Sequence, residues 1–358
     1  MKSRQFEHGG NVYDTPPTHT AWIDFSANIN PLGLSAQAEQ AIRQHIPELI
    51  HYPDPQGRKI KEALSSYYGV PGEQLVLGNG AAELFYLYMH QARPRQVVIP
   101  VPSFSEYERS AAAVQAHITP VYLQEDQQFA LPWKQLLAYC GKADCIILGN
   151  PNNPTGTTVS VDAVQELAEA AQGRGTDILI DESFLDFLPH EHLYSARTLI
   201  QQYDCIMSIR SLTKFYALPG LRLGFAAVSP QKAAALEAHK DVWNVNLLAQ
   251  YAGIAALADK AYQERTRQYV ETEKTYLYES LRRIPGIHVY APSVNFILFR
   301  ILRSGWTAQK LAAALRNEGI LIRNCDNYMG LDESYVRIAV KRREDNEVLI
   351  QKMKALLV

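Results

Sequence analysis

The fold of this chain is constrained most by a series of short, largely apolar segments that alternate with helical patterns between residues 74 and 228. The segments with strand character cover 74–78, 96–101, 118–123, 145–149, 177–180, 205–209 and 221–228. Helical patterns separate several of them, at 79–90, 106–116 and 161–172. Strands with continuous apolar runs are typical of parallel sheets that helices cover on both faces. We therefore expect an α/β protein whose large domain holds a mainly parallel sheet.

The pattern changes near residue 230. Helices are predicted over 231–240 and, as one long segment, from 247 to about 283. Further strands are predicted at 288–290, 296–299, 320–323 and 335–339, with helices at 307–317 and 343–357. This order favours a smaller α+β domain at 246–358, after a large domain at 49–245. Residues 1–48 are assigned to an N-terminal arm and to part of the small domain.

Composition argues against several classes of function. The net charge of −2 does not favour nucleic acid or an anionic membrane surface as a partner. The four cysteines form no C-x-x-C pair, and we expect no metal site. The first residues lack the apolar segment of a secretory signal, and no apolar stretch is long enough to cross a membrane. We therefore expect a cytoplasmic protein.

Residues 211–224, between two strand-like runs, combine a lysine with residue types that bind phosphate. Burial lowers the pKa of a lysine such as Lys214, and a neutral lysine forms an imine with an aldehyde. The hydroxyl groups of Ser211 and Thr213 and the forked guanidinium of Arg222 can together bind a phosphate. An aldehyde beside a phosphate indicates pyridoxal phosphate. Taken alone, a lysine in such a short motif is more often a surface residue near a helix start.

Further candidate residues follow other predicted strands, at the edge where open parallel sheets bind ligands. Glycines at 78 and 80 open a helix and leave its first N–H groups free for an anion. Asn153 lies between two prolines that fix the backbone. Asp181 ends an apolar strand, where its carboxylate needs a partner such as a protonated pyridine nitrogen; capping of the next turn is the alternative. Phe104 can stack on a cofactor ring or pack in the core.

In this order, the motifs resemble those of fold-type I pyridoxal-phosphate enzymes of the aspartate aminotransferase superfamily, and the likeness extends over about residues 8–357. The resemblance implies that Lys214 forms the imine with the cofactor, that Asp181 pairs with its pyridine nitrogen and that Asn153 meets its phenolic oxygen. It also implies that Phe104 stacks on the ring. Phe184 stands where many of these enzymes have a tyrosine that bonds the phenolic oxygen. The implied phosphate contacts are Gly80, Ala81, Ala82, Ser211, Thr213 and Arg222.

Two groups within the superfamily resemble this chain more closely than the superfamily as a whole does. Histidinol-phosphate aminotransferases share the motif at 150–156, whereas the L-threonine-O-3-phosphate decarboxylases of cobalamin synthesis are more similar at 8–11, 24–33 and 210–224. In the decarboxylases, the matching arginines imply that Arg337 grips the substrate carboxylate and Arg323 its phosphate. Surface salt bridges are the alternative for both arginines. The full set of implied substrate contacts is His8, Gly9, Asn30, Tyr52, Asn153, Arg323 and Arg337.

Tyr52 matches a tyrosine that reaches the cofactor phosphate bound by the partner subunit. The resemblance therefore implies a homodimer with shared active sites.

The expected activity is decarboxylation of L-threonine O-3-phosphate to (R)-1-amino-2-propanol O-2-phosphate, with L-serine phosphate to ethanolamine phosphate as a related reaction. Lys214 and Asp181 are the expected catalytic residues. Transamination, as in histidinol-phosphate aminotransferases, is the alternative, because the same lysine serves both reactions and substrate orientation decides which bond breaks. A purely regulatory or binding role is disfavoured by the intact lysine. One methyl group changes the binding free energy of a substrate by only about 1–3 kcal/mol, so the choice between threonine and serine phosphate stays open.

Overall fold

The architecture is that of a computed structural model, which describes residues 8–17 and 21–357. Parts of the predicted N-terminal arm, residues 1–7 and 18–20, lie outside the described residues. The described strands form three sheets. They are β1 (Ile23–Asp24), β2 (Leu75–Gly78), β3 (Gln96–Val101), β4 (His117–Tyr122), β5 (Cys145–Gly149), β6 (Asp177–Asp181), β7 (Ile206–Ser211), β8 (Gly224–Ala227), β9 (Ile287–Val289), β10 (Phe296–Ile301), β11 (Ile320–Leu321), β12 (Arg323–Asn324) and β13 (Tyr335–Ala339).

The largest sheet has seven strands in the order β2-β8-β7-β6-β5-β3-β4. Strand β8 runs antiparallel to both of its neighbours. The remaining neighbours, from β7 to β4, pair in parallel. The prediction of an α/β protein with a mainly parallel sheet is therefore confirmed.

Helices cover both faces of this sheet, as the continuous apolar strands require. Along β5, Ile146 and Leu148 contact one apolar core, and Cys145 and Ile147 contact a second core on the opposite face. The described α-helices are α1 (Ala36–His45), α2 (Arg58–Tyr68), α3 (Ala81–Ala92), α4 (Ser105–Ala113), α5 (Trp133–Leu137), α6 (Val161–Ala171), α7 (Pro230–Glu237), α8 (Leu247–Ala258), α9 (Lys260–Arg282), α10 (Ala308–Asn317) and α11 (Arg343–Leu357).

The C-terminal part of the chain forms a four-stranded antiparallel sheet in the order β12-β13-β10-β9. The N-terminal arm joins this part, because β1 pairs in parallel with β11. The domain limits at 48 and 245 stay a prediction.

Several sequence-based boundaries differ from the structure, and three of these differences have an identifiable cause. The helix predicted from 247 to 283 is two helices, because the Asp259 side chain accepts a hydrogen bond from the N–H of Tyr262 (3.0 Å) and begins α9. The strand predicted at 320–323 splits into β11 and β12, which join different sheets. The strand predicted from 221 begins only at Gly224, because residues before it belong to the loop that carries Arg222.

No helix in the described part of the chain is long and apolar enough to cross a membrane. Within residues 8–17 and 21–357, no group of His, Cys, Asp and Glu side chains is arranged to hold a metal ion.

Candidate active site

A cavity of about 460 Å³ lies beyond the carboxyl ends of three parallel strands. Asn153 approaches it just after β5, Asp181 at the end of β6 and Ser211 at the end of β7. Parallel strands end at one edge of a sheet, so polar residues far apart in sequence meet there. The cavity therefore occupies the position that the strand pattern predicts for a ligand.

Lys214 lies three residues beyond β7 and lines this cavity. Burial, together with the positive charges of Arg337 and Arg222, lowers the pKa of Lys214 to about 8, although the negative charge of Asp181 acts in the opposite direction. A substantial fraction of its amine is therefore neutral near physiological pH. A neutral amine in a cavity is the form that attacks a carbonyl group.

Asp181 is buried, and both of its carboxylate oxygens accept hydrogen bonds. The Tyr107 hydroxyl donates to Oδ2 (2.7 Å) and the Ser183 N–H donates to Oδ1 (3.0 Å). Burial raises the pKa of Asp181, while the hydrogen bonds from Ser183 and Tyr107 and the charge of Lys214 partly oppose this change. A positively charged partner in the cavity would stabilise the ionised carboxylate further.

Hydroxyl groups and a guanidinium gather at one end of the cavity. The Ser211 and Thr213 hydroxyls lie 2.6 Å apart, and both residues line the cavity with Arg222. A Cβ atom at Gly80 would lie 2.2 Å from Arg222 Nη2, so only glycine admits the guanidinium at this place. Gly80 precedes α3, whose first N–H groups have no partner within the helix. Arg222 itself adopts φ +59, an unusual value for a residue with a side chain.

Asn153 and Arg337 contact each other at another side of the cavity. Arg337 Nη1 donates to Asn153 Oδ1 (2.5 Å), and Arg337 Nη2 donates to the carbonyl oxygen of Ser26 (2.7 Å). Among the described residues, none accepts a hydrogen bond from Asn153 Nδ2, and Arg337 Nε is buried without a partner. Asn153 therefore has a side-chain donor left for a ligand.

Arg323 and Arg337 stand directly opposite each other on the antiparallel strands β12 and β13. Both line the cavity, and both are buried, with 6% and 5% of their surfaces exposed. Like charges at directly opposed positions destabilise a sheet, and burial of a charge adds to the cost. An anionic ligand in the cavity would offset this repulsion.

The N-terminal arm closes one side of the cavity. His8 Nε2 lies 2.8 Å from Oε1 of the buried Glu106, which also accepts a hydrogen bond from the Tyr86 hydroxyl. Burial would raise the pKa of Glu106, but the hydrogen bonds from His8 and Tyr86 bring it below its ordinary value. A Cβ atom at Gly9 would lie 2.1 Å from the carbonyl oxygen of Ser26, so a glycine is required at this close approach. Glu106 thus holds His8 at the cavity.

Most of the residues predicted for the site lie around this cavity. Those that line it are His8, Gly9, Ala81, Ala82, Phe104, Asn153, Asp181, Phe184, Ser211, Thr213, Lys214, Arg222, Arg323 and Arg337.

Gly80 is not part of this lining but lies directly beside the Arg222 guanidinium. Two further predicted residues lie away from the cavity. Tyr52 is 75% exposed on the surface, where its ring stacks on that of Trp243 with centroids 4.3 Å apart. Asn30 is buried behind the cavity wall, and its side-chain amide donates to groups of the fold. A direct contact between the Asn30 side chain and a substrate in the cavity is inconsistent with this position.

Sequence reasoning missed several residues that line the cavity. Asn28 is buried, and its Oδ1 atom has no hydrogen-bond partner. Asn28 and Asn30 lie two residues apart in one motif, but only Asn28 lines the cavity. Between them the chain turns, and the Ile29 N–H donates to the Ala27 carbonyl oxygen (2.9 Å). No signal in the sequence distinguishes the two asparagines. Tyr107, Glu106 and Tyr328 also line the cavity, and only their places near predicted strand ends could have indicated this.

Sequence comparison finds full-length relatives. The family described as aminotransferase class I and II matches residues 20–353. A threonine-phosphate decarboxylase from Salmonella typhimurium is 34% identical and aligns over 98% of this chain and 96% of its own length. A relative from Caldanaerobacter subterraneus, whose name ascribes the same activity provisionally, is 38% identical over 99% of this chain and 95% of its own length.

Solved structures show the same fold. A histidinol-phosphate aminotransferase from Clostridium acetobutylicum superposes with a TM-score of 0.87 at 32% identity, covering 93% of this chain and 98% of its own. The L-threonine-O-3-phosphate decarboxylase from Porphyromonas gingivalis superposes with a TM-score of 0.83 at 25% identity, covering 94% and 99%. By its sequence match, its fold and the course of its strands, the chain belongs to the class I and II aminotransferase family.

Proposed function

We propose that the cavity binds pyridoxal phosphate through an imine with Lys214. The cavity offers a separate contact for each part of this cofactor. The amine of Lys214 suits the aldehyde, the carboxylate of Asp181 suits the pyridine nitrogen, and the free Nδ2 donor of Asn153 suits the phenolic oxygen. The phosphate would meet Ser211, Thr213, Arg222 and the first N–H groups of α3.

When bound, pyridoxal phosphate draws electrons from the Cα atom of an amino acid that is joined to it. The buried Asp181 would keep the pyridine nitrogen protonated, which sustains that property. Phe184 offers no hydroxyl to the phenolic oxygen, so Asn153 supplies the side-chain donor there.

The reaction we propose is decarboxylation of a phosphorylated amino acid, L-threonine O-3-phosphate, to 1-amino-2-propanol phosphate. The observation that carries this proposal is the pair of buried arginines, Arg323 and Arg337, directly opposite each other in the cavity wall. A substrate with a carboxylate at one end and a phosphate at the other matches two adjacent cations better than a substrate with a single negative charge. The names of the relatives from Salmonella typhimurium and Caldanaerobacter subterraneus agree with this substrate.

The two anionic groups would occupy different positions. Arg337 contacts Asn153, so the guanidinium near the predicted cofactor ring would hold the carboxylate. Arg323 and His8 would hold the phosphate on the side that the arm closes. The Asn28 amide lies in the same cavity and adds a polar contact for the substrate. The amine of Lys214, which lines the same cavity, would be the group that returns a proton to the substrate Cα atom.

A substrate panel tests this function. Purified protein supplied with pyridoxal phosphate is given threonine phosphate, serine phosphate or histidinol phosphate. Release of carbon dioxide is measured with the two phosphorylated amino acids, and conversion of histidinol phosphate, which has no carboxyl group to lose, is measured separately. We expect release with threonine phosphate and none from the Lys214→Ala variant. Consumption of threonine phosphate without carbon dioxide would rule out the decarboxylase.

Transamination is the second candidate, because histidinol-phosphate aminotransferases are also full-length relatives. The Methanosphaera stadtmanae enzyme is 30% identical over 94% of this chain. In the same panel, this function would appear as conversion of histidinol phosphate that depends on added 2-oxoglutarate.

We also propose a homodimer with shared active sites. Large apolar side chains are exposed at residues 46–52 and at residues 242–243, and the two segments touch where Tyr52 stacks on Trp243. An exposed apolar surface of this kind favours coverage by a second subunit. The exposed side chains are Ile46, Leu49, Ile50, Tyr52, Val242 and Trp243. If Tyr52 completes the partner's site, hybrids of Tyr52→Ala and Lys214→Ala subunits should regain activity that neither variant has alone. Absence of any regained activity in verified hybrids would show that the sites are not shared.

We propose a cytoplasmic location as well. The four cysteines are free and buried, which fits a reducing compartment.

A further inference from the structure

Asn30 binds the backbone of the loop that carries Lys214, residues 212–223 between β7 and β8, which we call the lysine loop. Its own N–H donates to the carbonyl oxygen of Lys214 (3.1 Å), and its side-chain Nδ2 donates to the carbonyl oxygen of Phe215 (2.7 Å). Two successive carbonyl groups of the loop are therefore bound by one residue of the N-terminal arm. The residue is 3% exposed, so water does not compete for these bonds.

The other polar contacts of Asn30 anchor it to a rigid element. Nδ2 also lies 2.8 Å from the Tyr262 hydroxyl and 2.8 Å from Thr266 Oγ1, both on helix α9. Oδ1 accepts a hydrogen bond from the N–H of Leu32 (2.9 Å). Asn30 thus joins the arm, the lysine loop and α9 at one point.

The lysine loop needs such support, because it contains little regular structure of its own. Ala217 and Arg222 adopt φ +52 and φ +59, and such conformations persist only where surrounding contacts fix them. Within the loop, the Lys214 carbonyl oxygen accepts only a long bond from the Ala217 N–H (3.4 Å). The Phe215 ring packs under the guanidinium of Arg267, which lies 5.2 Å from the ring centre on α9.

We infer that Asn30 is a positioning residue for Lys214, which fixes the Lys214–Phe215 backbone so that the lysine amine meets the cofactor aldehyde and the substrate Cα at the reacting distance. This inference rests on the proposed role of Lys214. It replaces the sequence-based expectation that Asn30 contacts the substrate. Since Asn30 acts through the loop, its loss should alter the chemistry at Lys214 and leave substrate affinity intact.

The test compares Asn30→Ala with Thr266→Val. Asn30→Ala removes the bond to Phe215, whereas Thr266→Val removes only a contact of the same amide with α9. We expect kcat for threonine phosphate to fall about 10- to 100-fold in Asn30→Ala, as for a small misplacement of a catalytic group, with KM unchanged. The absorbance band of the lysine–cofactor imine should remain, but its pH midpoint should shift. Thr266→Val should keep the wild-type midpoint and kcat.

A raised KM with wild-type kcat and imine midpoint in Asn30→Ala would overturn the inference, because it would make Asn30 a substrate contact. Equal defects in both variants would assign the residue to general scaffolding. If Asn30→Ala does not fold, the isosteric Asn30→Asp is measured in the same way, since a carboxylate cannot donate to Phe215.

The wild-type protein gives a readout that needs no variant. The Asn30 amide proton should exchange with solvent as slowly as those of β7, and exchange at the rate of an exposed loop would refute the bond to Lys214. These outcomes can be told apart from a failure of the proposed role of Lys214, because in that case the Lys214→Ala variant would retain the absorbance band of the imine.

Discussion

Replacing Gly9 by alanine should displace the arm from the cavity. The added Cβ atom would lie 2.1 Å from the Ser26 carbonyl oxygen, well inside the 3.0 Å below which such contacts essentially do not occur. Ser26 cannot retreat freely, because its carbonyl oxygen accepts a hydrogen bond from Arg337 (2.7 Å) and its Oγ atom accepts one from the Gly10 N–H (2.7 Å). The arm must therefore shift by about 1 Å, and a shift of this size at a reacting site costs about 100-fold in rate.

The size of this effect depends on what the shift moves. His8 precedes Gly9 and is held at the cavity by Glu106, so the displaced arm would pull the imidazole away from the proposed phosphate position. We expect kcat/KM for threonine phosphate to fall about 10- to 100-fold in Gly9→Ala, with most of the change in KM.

The assay is the initial rate of carbon dioxide release over a range of threonine phosphate concentrations. Gly72→Ala is the matched control, because a Cβ atom there meets nothing within 4 Å and its backbone is not left-handed. Thermal unfolding of each variant separates local displacement from loss of fold. If Gly9→Ala keeps the wild-type kcat/KM, the docking of the arm does not position the substrate.

Three further changes test other parts of the site. Arg323→Met should raise KM for threonine phosphate about 10- to 100-fold, because hydrogen bonds to charged groups are worth about 1.5–3 kcal/mol; an unchanged KM would contradict the phosphate contact. In protein without cofactor, the rate at which Lys214 reacts with pyridoxal phosphate should rise with pH through about 8, because only the neutral amine attacks. Arg337→Met removes a positive charge near Lys214 and should move the midpoint of this pH dependence to higher pH. If the wild-type protein itself showed a midpoint near the ordinary lysine value of about 10.4, the lowered pKa of Lys214 would be contradicted. Tyr107→Phe removes one donor to Asp181, so equilibrium dialysis should show about 2- to 10-fold weaker binding of pyridoxal phosphate, and unchanged binding would refute this role.

The central sheet was predictable because its strands are buried on both faces and therefore carry continuous apolar runs. The ends of these strands also indicated the edge at which Asp181 and Lys214 line one cavity. The break at Asp259 did not follow from the pattern, because apolar residues continue on both sides of it and the break is marked only by the cap with which Asp259 begins α9. Local patterns thus predicted the elements better than their limits.

Contacts between distant segments were beyond the reach of the sequence pattern. Arg323 and Arg337 were expected on strands, but their direct opposition depends on the register between β12 and β13. Asn28 and Asn30 are equally polar, equally buried and nearly adjacent, and only the packing of α9 against the lysine loop decides which of them donates to the fold and which lines the cavity. These are tertiary relations, which propensity and periodicity do not encode.

We propose above all that the cavity decarboxylates threonine phosphate by means of Lys214. The most direct test is the stoichiometry of the reaction with purified protein, pyridoxal phosphate and threonine phosphate, without 2-oxoglutarate or another amino acceptor. We predict one carbon dioxide and one 1-amino-2-propanol phosphate for each threonine phosphate consumed, over many turnovers. Turnover that stops after one equivalent per site and resumes only when an amino acceptor is added, without carbon dioxide, would contradict the account and identify a transaminase.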